Sequence, residues 1–241
     1  MHLYAHIIND CPVKHWGLTS RQRLLRVLKS AGVADIVDDI ADVAQKSRVL
    51  LVRGDYLFDD RVVNYLVQTP NILLKIPKGQ ASLAVAAHVD SGHAPQVLEV
   101  LKKSAGEFTL PDVKVETLET LSLSFQQRLL KFEPPFVLPI TPDNRRILQR
   151  RLFDGSYKGV TDLITKWIWP HPARWAVGQC VNLGLSPNHV TIIGLVLVVL
   201  AGVLFADGRY GWGLLAAWLM TFLDTVDGKL ARVTVRPEPG R

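Results

Sequence analysis

Two aspartates late in the sequence, Asp224 and Asp227, have the spacing of a metal-binding pair. They begin the segment Asp224-Thr-Val-Asp227-Gly228-Lys-Leu-Ala231-Arg232. On a helix, positions 224, 227, 228 and 231 share one face because they follow the i, i+3, i+4, i+7 pattern. Two carboxylates one turn apart repel each other unless a cation lies between them, and oxygen-only ligands suit Mg²⁺ or Mn²⁺. The segment therefore predicts a divalent-metal site.

The residues that follow the aspartates favour a phosphorylated ligand. Gly228 and Ala231 have almost no side chain, so a bulky planar or phosphorylated group can approach the helix backbone there. Arg232 and Lys229 add positive charge, which suits phosphate. Together with the aspartates, these residues predict a metal-assisted phosphate site.

The aspartate segment ends the second of two uncharged stretches. No formal charge occurs from Leu183 to Ala206 or from Tyr210 to Leu223. A helix over residues 190–206 extends about 26 Å, close to the hydrocarbon thickness of about 30 Å, and a second helix continued through Arg232 reaches about 34 Å. We predict two membrane spans, and carboxylates within a span usually mark function because they are costly there.

Basic residues predict the orientation of these spans. Only Arg209 lies between the two apolar runs, whereas other basic residues flank them: Lys158, Lys166, Arg174, Lys229, Arg232, Arg236 and Arg241. Because basic residues stay on the cytoplasmic side, we expect a multi-pass protein of the inner membrane with its N-terminal domain in the cytoplasm. The first 16 residues lack a basic start followed by an apolar run, so no signal peptide is predicted.

The distribution of charged residues indicates which partners the protein could bind. Of the net charge of +6, residues 141–182 contribute +4, with 7 basic and 3 acidic side chains. A basic strip beside a span suggests contact with anionic lipid headgroups. No basic patch interleaved with aromatic residues occurs in the soluble part, so nucleic acid is not an expected partner. Cys11 and Cys180 have no metal or redox spacing and are expected to be free thiols.

The first part of the chain predicts alternating strands and helices, which indicate an open, Rossmann-like α/β sheet. Strands are predicted at 3–8, 49–52, 72–76 and 83–89, and helices at 19–30, 61–68, 95–104 and 116–131. The first helix has a capping box formed by Thr19 and Gln22.

Prolines at positions 134, 135 and 139 end this pattern and predict a domain boundary. We expect an α/β domain at 1–135, a basic linker with interfacial helices at 136–185, and a transmembrane domain at 186–241. Within the linker, helices are predicted at 143–153, 158–169 and 173–183. Pro170 and Pro172 are expected to separate the second of these helices from the third. Trp167 and Trp169 are expected close to the membrane.

The segment from Asp224 to Arg232 resembles the first half of the CDP-alcohol phosphotransferase signature, D-x-x-D-G-x-x-A-R followed by G-x-x-x-D-x-x-x-D. All five fixed positions of the first half are present. The segment Ser186-Pro187-Asn188-His189-Val190-Thr191 is similar to the P-N-x-[VI]-T sequence at the start of this family's first span. The resemblance covers roughly residues 140–235.

The resemblance implies an enzyme of phospholipid biosynthesis. An acceptor alcohol would attack the β-phosphorus of a CDP-alcohol, such as a CDP-linked lipid, and CMP would leave. It implies Mg²⁺ or Mn²⁺ as cofactor, contact with membrane lipid, and a homodimer when the domain is complete. Asp224 and Asp227 would bind the metal, and the CDP site would be lined by Gly228, Ala231, Arg232, Asn188 and Thr191.

The sequence departs from the family pattern after Arg232, where it reads Val-Thr-Val-Arg-Pro-Glu-Pro-Gly-Arg. The second glycine and the third and fourth aspartates of the signature are not among the 241 residues, and the expected general base is one of them. Two of an expected six spans are present. The resemblance therefore assigns no catalytic base here, and we expect these residues to be inactive on their own.

The segment from Val49 to Asp59 is similar to the strand-end segment of sugar-type nucleotidyltransferases, in which an aspartate after an apolar strand binds the catalytic metal. Asp55 holds that position. The family's glycine-rich phosphate loop is not recognisable before Thr19, since residues 11–17 contain one glycine. A triphosphate needs backbone N–H groups from such a loop, so we expect a degenerate nucleotidyltransferase-like domain.

Three classes of function remain open at this point. The leading one is CDP-alcohol phosphotransferase. The second is a bifunctional or stand-alone membrane-anchored nucleotidyltransferase that makes a CDP-alcohol. The third is a non-catalytic membrane protein that binds a partner. The aspartate motif favours the first class, and the missing phosphate loop counts against the second.

Overall fold

The computed structural model describes residues 2–33, 35–79, 81–103, 112–121, 134–155 and 169–235. The chain divides into two compact units, Met1–Leu148 and Gln149–Arg241. The first unit extends beyond the expected domain end at residue 135, because strand Val137–Pro139 pairs antiparallel with strand Tyr56–Phe58.

A mixed sheet forms the centre of the first unit. Among the described residues it has six strands in the order β2-β1-β3-β6-β5-β7. Strand β1 is parallel to both of its neighbours, whereas β6 is antiparallel to both of its own, and β7 is parallel to β5. The strands are β1 (Leu3–Ile8), β2 (Asp35–Val37), β3 (Arg48–Arg53), β5 (Ile72–Lys78), β6 (Ala81–Asp90) and β7 (Lys114–Thr117).

The predicted α/β architecture is thus confirmed for the first unit. Its helices are α1 (Ser20–Ser30), α2 (Asp60–Gln68) and α3 (Ala94–Lys102), and the pair formed by β4 (Tyr56–Phe58) and β8 (Val137–Pro139) lies outside the main sheet. The capping box before α1 is present as predicted: the Gln22 N–H donates to Thr19 Oγ1 at 3.2 Å, and the Thr19 N–H donates to Gln22 Oε1 at 3.0 Å. Leu24, Val27 and Leu28 then bury the inner face of α1.

The helix predicted at 116–131 was wrong at its start. Residues 114–117 form β7 along the edge of β5, and the described residues that follow, 118–121, are helical. The rest of that prediction, residues 122–131, lies outside the described residues. The strands β2, β4 and β8 were not predicted, because three residues are too few to show a period-2 pattern.

Four helices cover the described part of the chain after residue 144. They are α4 (Arg145–Asp154), α5 (Pro170–Asn182), α6 (Pro187–Ala206) and α7 (Tyr210–Val233). Pro170 and Pro172 form the first turn of α5, where the missing N–H needs no partner, so this helix begins three residues before the predicted start at 173. The prediction for 158–169 lies outside the described residues except for Trp169.

The helices α6 and α7 form an antiparallel hairpin within the second unit. Thr191 near the start of α6 contacts Asp227 near the end of α7, and Phe205 near the end of α6 lies 6.4 Å from the ring of Tyr210. Over the described residues, α6 is the one helix long and apolar enough to cross a membrane by length and composition. Helix α7 continues without a break through Arg232, and its last ten residues include four charged side chains.

Candidate functional site

Asp224 and Asp227 lie outside the packed stripe of α7. Val226, Leu230 and Val233 are buried and follow i, i+4, i+7 spacing, so they form that stripe. Asp224 lies on the opposite side of the helix and is exposed, whereas Asp227 lies beside the stripe, contacts α6 and is half-buried. The local apolar pattern thus leaves both carboxylates outside the packed core.

One oxygen of Asp227 is held by the other helix of the hairpin. Thr191 Oγ1 donates a hydrogen bond to Asp227 Oδ2 at 2.6 Å. Among the described residues, Asp227 Oδ1 and both oxygens of Asp224 make no hydrogen bond or ion pair. Three carboxylate oxygens on neighbouring turns are therefore available to a ligand.

This donor set fits a hard divalent cation. The described residues contain no group of three or more acidic, histidine or cysteine side chains that could enclose a metal by themselves. Mg²⁺, however, is commonly bound by one or two carboxylates, with substrate phosphates and waters supplying the remaining oxygens. Asp224 and Asp227 match that requirement, because a cation bound there keeps most of its coordination positions for a ligand.

The small residue beside the acidic pair leaves space for such a ligand. A Cβ atom added to Gly228 would meet no atom within 4 Å among the residues described. Ala231 and Arg232 follow on the last turn of α7 and are half-buried. Asn188 is exposed one turn before Thr191, at the same end of the hairpin. The structure thus brings Thr191 together with Asp227 and places the other predicted CDP-site residues near this end.

Lys229 does not lie at the predicted phosphate site. Its side chain is 3 % exposed, and Nζ lies 4.9 Å from the centre of the Phe153 ring, on the packed side of α7. Arg174 approaches the same ring at 5.2 Å and forms an ion pair with Asp154 at 3.1 Å. Sequence reasoning missed this cluster, because Phe153 is far from Lys229 in sequence and has no motif around it.

Trp169 packs against α7 within the second unit. It is buried, with its ring centre 6.1 Å from that of Trp218 and 5.6 Å from that of Phe222. Both contacts have edge-to-face geometry, which is favourable for aromatic pairs. Its expected position close to the membrane stays a prediction.

Asp55 follows β3 in the first unit and pairs with a neighbouring arginine. Arg53 Nε donates to Asp55 Oδ1 at 2.9 Å, and a terminal guanidinium nitrogen donates to Asp55 Oδ2 at 2.5 Å. Hydrogen bonding to Asp55 raises the pKa of Arg53, so the guanidinium stays charged. The metal role of Asp55 stays a prediction, and a metal there would compete with the guanidinium for both oxygens.

Two histidines of the first unit, His15 and His88, are buried. The ring of His88 is buried in β6, and its Nδ1 lies 2.7 Å from the carbonyl oxygen of Leu66, within hydrogen-bond distance. Burial lowers the pKa of His88. Burial and the nearby charges of Arg145 and Arg23 lower the pKa of His15 to about 4. Both rings are therefore neutral at physiological pH.

Comparison with known proteins finds a family that the hairpin resembles. Residues 184–236 match the model of the CDP-alcohol phosphatidyltransferase family. Over 53 residues the chain is 40 % identical to the phosphatidylinositol phosphate synthase of Mycobacteroides abscessus, which corresponds to 22 % of this chain and 24 % of that protein. The chain thus spans about a quarter of the length of this curated relative.

The match covers α6, α7 and every residue predicted at the metal and CDP sites. Residues 184–236 are therefore similar to the CDP-alcohol phosphatidyltransferase family, as the signature in this segment predicted. The family is membrane-embedded and generally depends on a divalent metal.

Proposed function

We propose that the α6–α7 hairpin binds the CDP end of a CDP-alcohol for a phosphotransferase of phospholipid biosynthesis. The observation that carries the proposal is the pair of aspartates with three unengaged oxygens beside the open space at Gly228. Release of CMP from CDP-diacylglycerol in the presence of Mg²⁺ or Mn²⁺, by a longer chain that also carries the second half of the signature, tests it.

Asp224 and Asp227 would hold the divalent metal through their free oxygens. When bound, Mg²⁺ or Mn²⁺ supplies positive charge that offsets the charge developing on the diphosphate, which is the main demand of phosphoryl transfer. The residues themselves orient the diphosphate, because both carboxylates are fixed to the same face of one helix.

The remaining site residues would accommodate CDP. Gly228 and Ala231 allow the nucleotide to lie against the backbone of α7, and Arg232 adds charge near the phosphates. Asn188 and Thr191 at the start of α6 would complete the site from the other helix. An acceptor hydroxyl then attacks the β-phosphorus, the bond from this phosphorus to the bridging oxygen breaks, and CMP leaves with that oxygen.

The proton of the acceptor hydroxyl needs a base that these residues do not supply. In the signature, the expected base is an aspartate of the second half, which is not among the 241 residues. We therefore expect weak CDP binding and no turnover from these residues alone. The name of the mycobacterial relative favours a phosphatidyl group as the unit transferred, and so CDP-diacylglycerol or a similar lipid as donor.

The apolar surfaces of the hairpin support two membrane spans. Helix α6 exposes most of its aliphatic side chains, including Leu195 at 63 % and Val199 at 61 %. Helix α7 is uncharged from Tyr210 to Leu223, so the aspartates would lie toward one side of the membrane. Basic residues favour the cytoplasm for that side and for the N-terminal unit, with the protein in the inner membrane.

The chain should remain in the membrane fraction after an alkaline wash, because α6 has an apolar surface of about the bilayer thickness. In a Cys180→Ala variant, a membrane-impermeant maleimide should label Cys11 in inverted vesicles but not in intact cells. Recovery of the untagged chain as a soluble monomer without detergent would contradict insertion. Labelling of Cys11 in intact cells would reverse the orientation.

A second candidate function is suggested by the sheet of the first unit. The chain passes from β1 to β2 on one side of β1, and then to β3 on the other side of β1. The carboxyl ends of β1 and β3 therefore form a topological switch point. Ligands of open α/β sheets bind at such points. Asp55 lies there, directly after β3, as expected of a nucleotidyltransferase-like domain.

The same strand ends are, however, packed tightly together. The Gly54 N–H donates to the Ile8 carbonyl at 2.6 Å, and a Cβ at Gly54 would lie 2.3 Å from the Asn9 carbonyl oxygen. The Ser20 hydroxyl donates to the Gly54 carbonyl. The Gly54 N–H is therefore engaged at the place where a triphosphate would need free N–H groups, which favours a degenerate domain.

We therefore expect the 241-residue chain to show little nucleotidyl transfer from CTP or GTP. The measurement is pyrophosphate release with a sugar phosphate or a polyol phosphate as acceptor. An Asp55→Asn variant should give the same low background. Strong pyrophosphate release that falls in Asp55→Asn would instead establish the bifunctional enzyme.

A further inference from the structure

We propose that Thr191 is a positioning residue that orients the Asp227 carboxylate toward the divalent metal. This inference rests on the proposed function, because it concerns the same metal site. It assigns to α6 a part in metal binding, whereas the family resemblance implied that Thr191 contacts the nucleotide.

The hydroxyl of Thr191 has two acceptors within reach. Its Oγ1 lies 2.6 Å from Asp227 Oδ2 and 3.1 Å from the carbonyl oxygen of Pro187. A hydroxyl donates one proton, and the shorter, charge-assisted bond to a carboxylate is the stronger of the two. The proton therefore goes to Asp227 Oδ2, which leaves Oδ1 of that residue for a cation.

The bond differs from those of the other threonines in the hairpin helices. Thr221 and Thr225 donate to carbonyls one turn earlier in their own helix, at 2.8 and 3.4 Å. Such back-bonds are a default for threonine in helices. Within the described hairpin, Thr191 is the threonine that reaches a carboxylate across the helix pair, and it joins the two segments that resemble the family's motifs.

Orientation matters because an exposed aspartate rotates broadly about its last torsion. Asp224 and Asp227 must offer oxygens to one cation at the same time, and a donor on Oδ2 restricts the rotation of Asp227. Partners that hold metal ligands in this way typically contribute 10–100-fold in metal affinity or activity. The Thr191 hydroxyl also reduces the repulsion between the two carboxylates while no cation is bound.

The test is Mn²⁺ binding by the 241-residue chain in detergent micelles, followed through the paramagnetic resonance of free Mn²⁺. Thr191→Val removes the hydroxyl at nearly constant volume and should weaken Mn²⁺ binding about tenfold. Thr191→Ser keeps a donor and should stay close to the parent. Thr221→Val is the matched control, since it removes a hydroxyl that bonds only within its own helix.

A double-mutant cycle separates positioning from a general effect on the hairpin. If Thr191 acts through Asp227, Thr191→Val should add no further loss in an Asp227→Asn background. A further loss of the same size would overturn the proposal, as would parental affinity in Thr191→Val while Asp227→Asn is weakened. Equal loss in Thr191→Val and Thr221→Val would overturn it too.

The proposed function fails in a different way. If the parent binds Mn²⁺ no better than a variant with both Asp224 and Asp227 changed to Ala, the metal site itself is contradicted. The inference about Thr191 then falls with it. Far-UV circular dichroism of each variant checks that the helices are retained.

Discussion

Leucine in place of Gly228 should abolish CMP release while the hairpin stays folded. The measurement requires a longer chain that also carries the second half of the signature. A Cβ at position 228 meets no described atom within 4 Å, so the fold has room for the side chain. That room is the proposed CDP site, and filling it should lower CMP release by about 100-fold or more. Helix propensity predicts that stability stays the same or rises by up to about 1 kcal/mol.

Gly213 of the same helix supplies the matched control. A Cβ there would lie 2.7 Å from the ring of Phe205, so Gly213→Ala should strain the α6–α7 contact. We expect this variant to lower the thermal stability of the hairpin in detergent, whereas Gly228→Leu should not. Parental CMP release in a folded Gly228→Leu variant would contradict the proposed position of CDP.

Asp224→Asn and Asp227→Asn should each reduce CMP release by about 100-fold or more in the longer chain, because each removes a charged metal ligand. Asparagine keeps the shape of the side chain but not its charge, so it should be nearly as damaging as alanine. Excess Mn²⁺ should restore part of the activity by mass action. Asp207→Asn, in the turn between α6 and α7, is the control and should leave activity unchanged. Full activity in either site variant would contradict metal binding by that residue.

The sequence predicted the parts of the fold in which a long pattern coincides with a strong local signal. Strand β3 is a run of aliphatic residues, and α1 has a capping box, so both were placed within one or two residues. The apolar run of α6 is unambiguous for the same reason. The edge strand β7 was missed because its sequence, Lys-Val-Glu-Thr, has helix-compatible neighbours and only pairing with β5 makes it a strand.

The candidate site was predictable in its residues but not in its contacts. Spacing alone places Asp224 and Asp227 on one face of α7, and the structure retains that face. Spacing could not show that Thr191 donates to Asp227, since the two residues belong to different helices. Spacing also could not show that Lys229 packs on Phe153. Which side of α7 is buried depends on the helices that pack against it, and these are distant in sequence.

Release of CMP from CDP-diacylglycerol is the measurement that tests the central claim most directly. It requires the longer chain, reconstituted in lipid, with acceptor alcohols supplied one at a time and with an Asp224→Ala variant in parallel. We predict that CMP appears only when donor, acceptor and Mg²⁺ or Mn²⁺ are all present. Chelation of the metal should stop CMP release, and the Asp224→Ala variant should release no CMP. Release of CMP by Asp224→Ala at the parental rate would contradict the assignment of this hairpin as the metal and CDP site.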